Sequence, residues 1–168
     1  VLLDDGEGAL WSTEMLETAR RAVPHHFDRV VVGLDPATTS KGGSNATGIV
    51  VVGVVMDGPP QDWRAYVLAD RTVQGASPIE WAAAAIAAVE SFGADRLVAE
   101  INQGGDAIRD VLRRVSPMVP YKGVHARDSK SARAEPVAAL YEQGRIVHAP
   151  GLDALEDQMV RMTRRGYE

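Results

Sequence analysis

Two apolar runs that each end in a carboxylate constrain the fold of this chain more than any other feature. The nonpolar run 30–34 is closed by Asp35, and the run 97–99 is closed by Glu100. Such runs predict buried β-strands, the first of them covered on both faces. If the strands are parallel neighbours, their carboxylates meet at one end of a sheet, where open α/β folds bind ligands. Two adjacent carboxylates repel each other unless a cation separates them, so the pair predicts a divalent metal site.

Composition narrows the class of protein. The chain has 168 residues, 45% of them hydrophobic, which predicts one compact domain with its own core. No apolar run approaches the roughly 20 residues that cross a bilayer, so we expect no membrane partner. Because cysteine is absent, metal ligands must be oxygen or imidazole, and the composition suits a reducing cytoplasm. The formal charge of -5 argues against a nucleic-acid coat protein but is compatible with an enzyme that contacts DNA locally.

The first half of the chain predicts a short helix followed by a meander. Ser12 caps a helix that must end before Pro24. A Thr-, Ser- and Gly-rich loop, 36–47, directly follows Asp35. Short connections favour an antiparallel meander of three strands, over residues 30–35, 48–55 and 64–70.

The second half of the chain alternates helices and strands. A capping box at Ser77 opens a helix to about Phe92, so the strand 95–100 can return parallel to the first strand. Pro136 should lie in the first turn of a later helix, 137–143, in which Val137 should be buried. The other predicted elements are a helix after 102–106, a strand at 120–125, an edge strand at 145–148, and a last helix lined by Leu152, Leu155, Met159 and Met162.

The resulting order, β-β-β-α-β-α-β-α with acidic residues ending the first and fourth strands, resembles the ribonuclease H-like fold. This resemblance implies an α/β fold in which a mixed sheet, three antiparallel strands and then parallel strands, is flanked by helices. The sequence is more closely similar to the nuclease domain of the large terminase subunit of tailed bacteriophages and prophages. Four blocks carry that similarity in the family's order: VVGLDPA at 31–37, YVLAD at 66–70, VAEINQGGD at 98–106 and RAEPVAALYEQGR at 133–145. The block LEDQM at 155–159 fits the same family.

The resemblance also implies a domain organisation. Residues 1–28 would be a linker and short helix arriving from a missing N-terminal ATPase, and 29–168 would be the nuclease domain. No Gly-x-x-x-x-Gly-Lys-Ser/Thr motif of a packaging ATPase occurs in the sequence. The family's last catalytic aspartate opens a final helix, and we expect this chain to lack both that helix and the third carboxylate.

The function implied is a metal-dependent endonuclease that cuts concatemeric double-stranded DNA during viral genome packaging. Hydrolysis would use a two-ion site, for which oxygen ligands suit Mg²⁺ or Mn²⁺. The partners would be double-stranded DNA and, in the full protein, an ATPase domain, the portal and the small terminase subunit. We expect a location in the cytoplasm of the bacterial host and a monomeric isolated domain.

Four carboxylates are candidate metal ligands under this resemblance. Asp35 would bridge two ions and Glu100 would hold one of them, so this pair would be catalytic. Asp70, at the end of a neighbouring strand, and Asp106, after the glycine turn, would be auxiliary ligands. Three of them have a structural alternative: a turn former for Asp35, an ion pair for Glu100 and a helix cap for Asp106. Asp157, in the last predicted helix, is more consistent with a structural position.

Five further positions are candidate DNA contacts. The backbone amides of Gly104 and Gly105, at a helix start, would receive a DNA phosphate. Arg127, Lys130 and Arg133 precede the third predicted helix and would contact the DNA backbone. A solvated surface patch is the alternative for these three cations, and a common glycine turn is the alternative for the two glycines.

Two other functions compete with the nuclease. One is a noncatalytic module of the packaging motor that docks on DNA or on the portal. The other is a different ribonuclease H-like nuclease, such as a junction resolvase. The four histidines show no spacing of a zinc site, and they predict no further metal centre.

Overall fold

The structure is a computed structural model that describes residues 8–37, 45–101, 106–163 and 166–167. Its elements are α1 (Thr13–Ala19), β1 (Arg29–Asp35), β2 (Ala46–Val55), a 3-10 turn (Pro60–Asp62), β3 (Arg64–Asp70), β4 (Val73–Gln74), α2 (Pro78–Phe92), β5 (Arg96–Glu100), α3 (Ala107–Val115), β6 (Tyr121–Val124), α4 (Lys130–Glu142), β7 (Ile146–His148), α5 (Asp153–Met159), β8 (Met162–Thr163) and β9 (Gly166–Tyr167). None of these helices has the length and apolar character that a membrane crossing requires.

Seven of the described strands form one mixed sheet. Its order is β6-β5-β1-β2-β3-β7, with β4 paired to β2. Antiparallel strands come first along the chain, parallel strands follow, and helices flank the sheet. After α2, strand β5 returns parallel to β1, and β7 lies parallel to β3 at one edge. The predicted α/β fold class with a mixed sheet is confirmed.

The chain divides into two compact units, and the first of them carries the paired carboxylates. This carboxylate unit consists of Phe27–Gly53 and Ala69–Ala126. Helix α2 packs on β1 and β5, and α3 packs on α2. The start of β1 is held by Asp95, whose carboxylate accepts a 2.8 Å hydrogen bond from the backbone N–H of Val30. The core of this unit therefore lies on the helix-covered face of its strands.

The second unit gathers the two ends of the chain. This terminal unit consists of Val1–His26, Val54–Leu68 and Arg127–Glu168. Helix α1 packs against β7 and α4. The N–H of Leu10 donates to the carbonyl of Met162 over 3.0 Å, and Ala9 forms a β-bridge with Thr163. Residues near the N-terminus are thus built into the same core as α5 and β8.

The helix that contains Pro136 begins earlier than the sequence predicts. Helix α4 starts at Lys130, with Pro136 in its interior rather than in its first turn. Ser129 caps this start by accepting a hydrogen bond from the N–H of Ala132 over 3.2 Å. The cap satisfies an unpaired backbone N–H several residues before the proline, so the proline marks the middle of the helix. Val137, predicted to be buried, is 42% exposed, whereas Ala138 and Tyr141 are the buried residues of this helix.

Two other local predictions are corrected by the structure. Strand β1 is not buried on both faces: Val32 and Leu34 are buried, whereas Gly33 is exposed. The reason is that the described helices packed on this strand cover only its Leu34 face. The last predicted helix ends at Met159, and Met162 belongs to β8 instead of the helix.

Candidate metal and DNA site

Asp35 and Glu100 lie side by side at the same end of neighbouring parallel strands. In the register of β1 and β5, Leu34 pairs with Ala99. Asp35 and Glu100 are the next residues on each strand, so their backbones are about 4.8 Å apart at the usual strand spacing. This is the arrangement that the two apolar runs predict, and it brings the two catalytic candidates together.

Both carboxylates project from the sheet face that is not covered by α2. Leu34 and Ala99 are 4% and 2% exposed, so they face the core, and side chains alternate along a strand. Asp35 is accordingly exposed and Glu100 is half-buried. Strand β2 passes next to Asp35 with a glycine, since a Cβ atom on Gly48 would lie 3.7 Å from the Cβ of Asp35. Asp35 is therefore accessible, and of the described residues its neighbour on β2, Gly48, adds no side chain beside it.

Asp70 ends β3 and takes part in the turn that follows. Its Oδ1 accepts a 3.0 Å hydrogen bond from the N–H of Thr72, which is the local pairing expected of a turn-forming aspartate. Strand β2 lies between β1 and β3 in the sheet. One intervening strand puts the backbone of Asp70 at least roughly 10 Å from that of Asp35. The structure does not make Asp70 an immediate neighbour of the pair.

Asp106 is the N-terminal cap of α3. Its Oδ1 accepts hydrogen bonds from the N–H of Arg109 over 3.0 Å and from the hydroxyl of Tyr121 over 2.7 Å. Burial of Tyr121, and then its hydrogen bond to Asp106, raise the pKa of the phenol above its usual value of 10, so Tyr121 is the donor. Asp106 is therefore a helix cap, the structural alternative that the sequence offers for it. Its role as an auxiliary metal ligand stays a prediction.

The DNA-contact candidates fall in three places. Gly104 and Gly105 lie outside the described residues. Arg127 precedes α4 in the terminal unit, whereas Lys130 and Arg133 lie inside the first turns of α4. The prediction that all three cations precede a helix is therefore wrong for Lys130 and Arg133, because the cap at Ser129 starts the helix before them. All three are exposed, as a role in contacting DNA requires.

The donor chemistry of the pair fits a hard divalent cation. Two carboxylates supply the oxygen ligands that Mg²⁺ and Mn²⁺ prefer. Among the residues that the structure describes, no group of three or more His, Asp or Glu side chains is placed to hold a metal ion. The role of Asp35 and Glu100 as metal ligands therefore stays a prediction.

A buried polar network in the terminal unit was not predicted as a group. Glu156, 5% exposed, accepts hydrogen bonds from the guanidinium of Arg20 through Oε2 and from Nδ1–H of His148 through Oε1, the latter over 2.8 Å. The hydroxyl of Tyr141 donates to Nε2 of the same imidazole over 2.6 Å. One signal was present in the sequence, because Glu156 shares the helical face of Leu152, Leu155 and Met159.

The charge state of this network follows from its burial. Burial lowers the pKa of His148 below its usual 6.5 and outweighs the hydrogen bond to Glu156, so the imidazole is neutral. Burial alone would raise the pKa of Glu156, but the hydrogen bonds from Arg20 and His148 outweigh it and lower that pKa. An ionised Glu156 is therefore paired with Arg20, and the network is a packing feature of the terminal unit.

The family of the chain follows from its match to a family model. Residues 32–163, which are 132 of the 168 residues, match the model described as the terminase RNaseH-like domain. The chain belongs to this family. No curated protein matches the sequence at a significant level. The match covers every strand of the terminase RNaseH-like sheet from the second half of β1 to β7.

Solved structures share the fold of this terminase RNaseH-like domain. The large terminase nuclease of thermophilic phage G20c is 18% identical, with a TM-score of 0.61 over 92% of this chain and 81% of that one. The nuclease domain of the P22 large terminase is 13% identical, with a TM-score of 0.66 over 98% and 84%. The large terminase of a second thermophilic bacteriophage is 12% identical, with a TM-score of 0.63 over 91% of this chain and 36% of that one. These likenesses agree with the fold class.

Proposed function

We propose that this chain is a metal-dependent endonuclease domain that cuts concatemeric double-stranded DNA during viral genome packaging. The observation that carries the proposal is the parallel register of β1 and β5, which sets Asp35 and Glu100 side by side at the strand ends. Membership of the terminase RNaseH-like domain family supports the same function. Two converging carboxylates on an open face suit phosphodiester hydrolysis better than they suit a purely structural sheet edge.

Divalent ions are the proposed cofactors, with Mg²⁺ or Mn²⁺ in a two-ion site. Asp35 would hold both ions and Glu100 one of them, and Asp70 and Asp106 are auxiliary candidates. Bound divalent ions would supply an activated water and neutralise charge on the scissile phosphate and on the leaving oxygen. Structures of the G20c nuclease with magnesium, cobalt and zinc bound support a divalent cofactor in this fold.

The protein itself would orient the ions and admit the DNA backbone. Asp35 is exposed, and the glycine at position 33 leaves the same sheet face without a side chain two residues away. In the part of the chain that the structure describes, Gly33 and Gly48 thus place no side chain beside Asp35 in the way of a phosphate. Contacts to the backbone carry no sequence information, so cutting should show little base preference.

The proposed context is a packaging motor. Residues 29–168 would form the nuclease domain, and 1–28 would join it to an ATPase domain in the full protein. The portal and the small terminase subunit are the further proposed partners, in the cytoplasm of the bacterial host. Structures of the large terminase from the second thermophilic bacteriophage, in complex with ADP and with ATP-gamma-S, support such a context for this fold. The isolated domain would be a monomer.

The test is nicking of supercoiled plasmid in Mn²⁺, in Mg²⁺ and in EDTA. The parent should nick only with a metal ion. Asp35→Asn should lower the rate about 100-fold or more, since even residues that only support metal ligands are worth about 10- to 100-fold. Asp110→Asn is the matched control, because its carboxylate lies on α3 with 65% of the side chain exposed. Circular dichroism should show that all three proteins fold alike.

A noncatalytic docking module is the second candidate. It is favoured by one observation, that no cluster of three or more His, Asp or Glu side chains among the described residues is placed to hold a metal ion. A folded parent that binds duplex DNA or portal protein but never nicks DNA would support the module and overturn the nuclease. Cutting restricted to four-way junctions would instead indicate a resolvase-like enzyme.

A further inference from the structure

Lys122 on β6 shares a sheet face with the two carboxylates. In the register of β5 and β6, Val98 pairs with Lys122 and Glu100 pairs with Val124. Paired residues of neighbouring strands project from the same face, and side chains two residues apart do too. Lys122 is therefore on the face of Glu100, one strand over and two residues earlier.

The distance between Lys122 and Glu100 suits a contact between Lys122 and the phosphate next to the one that is cleaved. Strand spacing and rise place the Cα atoms of Lys122 and Glu100 about 8 Å apart. Lys122 is exposed, so its flexible four-carbon stem carries the ammonium above the sheet. A side chain of this length, about 6 Å, is long enough for the charge to extend toward the space above the carboxylate pair. An ammonium is a suitable point-charge partner for a backbone phosphate.

The opposite face of the same strands is already occupied. Tyr121 pairs with Leu97, which is fully buried, and its hydroxyl donates to Asp106 at the start of α3. Helix α3 therefore covers the Leu97 face. The exposed cation Arg114, in the last turn of α3, belongs to that covered side of the sheet. Of these two cations, only Lys122 stands on the carboxylate face.

We propose that Lys122 binds the DNA backbone beside the scissile phosphate and so positions the DNA strand across β6, β5 and β1. The proposal rests on the proposed nuclease function of Asp35 and Glu100. Lys122 would be a DNA-positioning residue that pairs with a non-reacting phosphate. Gly33 and Gly48 add no side-chain bulk to the sheet face next to Asp35, where the DNA strand would pass. Neither residue has a positive φ, so the backbone conformation does not require glycine at these positions.

The binding test compares Lys122→Gln with Arg114→Gln, both in the Asp35→Asn background, in which cleavage is expected to be about 100-fold slower or more. Affinity for a short duplex is measured by fluorescence anisotropy over a series of salt concentrations with Mg²⁺ present. Lys122→Gln should weaken binding about two- to fivefold and reduce the slope of log affinity against log salt by about 1. Arg114→Gln should leave both values unchanged, and Lys122→Arg should keep the slope of the parent.

The nicking test separates this proposal from the nuclease itself. With Asp35 intact, Lys122→Gln should nick more slowly at low DNA concentration, and saturating DNA should recover most of the rate. A parent that nicks, together with a Lys122→Gln variant that binds and nicks equally well, would overturn the role of Lys122 and leave the nuclease standing. A parent that neither binds nor nicks DNA would overturn both. Tighter Mg²⁺ binding by Lys122→Gln with unchanged DNA affinity would overturn the role of Lys122 and indicate that its ammonium pairs with Glu100 instead.

Discussion

The carboxylate of Asp106 holds the start of α3 through two hydrogen bonds. One comes from the backbone N–H of Arg109 and satisfies a donor that the helix leaves unpaired. The other comes from Tyr121 on β6, so a single oxygen joins the helix to the edge strand. These contacts account for an aspartate at this position without a metal ion. They also make its structural contribution measurable.

Replacing Asp106 by alanine should destabilise the protein by about 1–2 kcal/mol, the usual cost of losing a helix cap. The variant also loses the hydrogen bond from Tyr121, so the loss of stability should lie toward the upper end of that range. Urea unfolding followed by circular dichroism measures the change. Asp110→Ala, an exposed carboxylate on the same helix, should change stability by less than about 0.5 kcal/mol. Equal stability of the two variants, with nicking lost only in Asp106→Ala, would favour a metal role for Asp106.

At the scale of elements, one buried carboxylate connects three parts of the terminal unit. Glu156 on α5 bonds Arg20, which directly follows α1, and His148 on β7. The N–H of Arg21 also donates to the carbonyl of His148, so the chain after α1 lies along β7. Arg20 and its neighbours precede the residues that match the family model. The network therefore fixes the N-terminal segment to the rest of this unit.

Glu156→Ala should destabilise the protein by about 2–3 kcal/mol, because it leaves the buried Nδ1–H of His148 without a hydrogen-bond partner and removes an ion pair with Arg20, whose side chain is 49% exposed. Asp157→Ala removes the exposed carboxylate of the next residue and should cost less than about 0.5 kcal/mol. Urea midpoints at neutral pH compare the two. Similar midpoints would show that the network contributes little, and the link between α1 and α5 would need another explanation.

At the scale of the whole molecule, acid should weaken the fold. The folded chain holds His148 and Glu156 at pKa values below their usual 6.5 and 4.5, so the unfolded chain binds protons more readily. The contribution of these two groups to the free energy of unfolding should therefore be fully present above pH 6.5. It should be lost as the pH drops, first when His148 takes up a proton and then when Glu156 does. Urea unfolding over a pH series measures this. His148→Asn should flatten the part of the curve just below pH 6.5, and an unchanged slope there would contradict the assignment.

Much of the sheet follows from sequence because its signals are local. Unbroken apolar runs define β1 and β5, and the capping box at Ser77 with Gly93 in the left-handed conformation defines α2. The start of α4 was missed because a proline is a stronger sequence signal than the single serine that caps the helix. The two-residue strands β4, β8 and β9 are too short to leave a periodic pattern.

The site follows only in part from the sequence. Parallel return after a helix is enough to predict that Asp35 meets Glu100. The sheet face on which Lys122 lies depends on the register of β6. Register leaves no local sequence signal in a strand that carries polar and apolar residues on both faces. The network around Glu156 joins residues more than a hundred positions apart, and no spacing rule connects them.

The most direct test of the central claim is a double-mutant cycle on metal-dependent nicking with Asp35→Asn, Glu100→Gln and the two combined. If both carboxylates serve one metal site, each single variant should lose about 100-fold or more, and the double variant should be no slower than the slower single variant. Single variants that nick at the parent's rate, or losses that simply multiply in the double variant, would contradict a shared site.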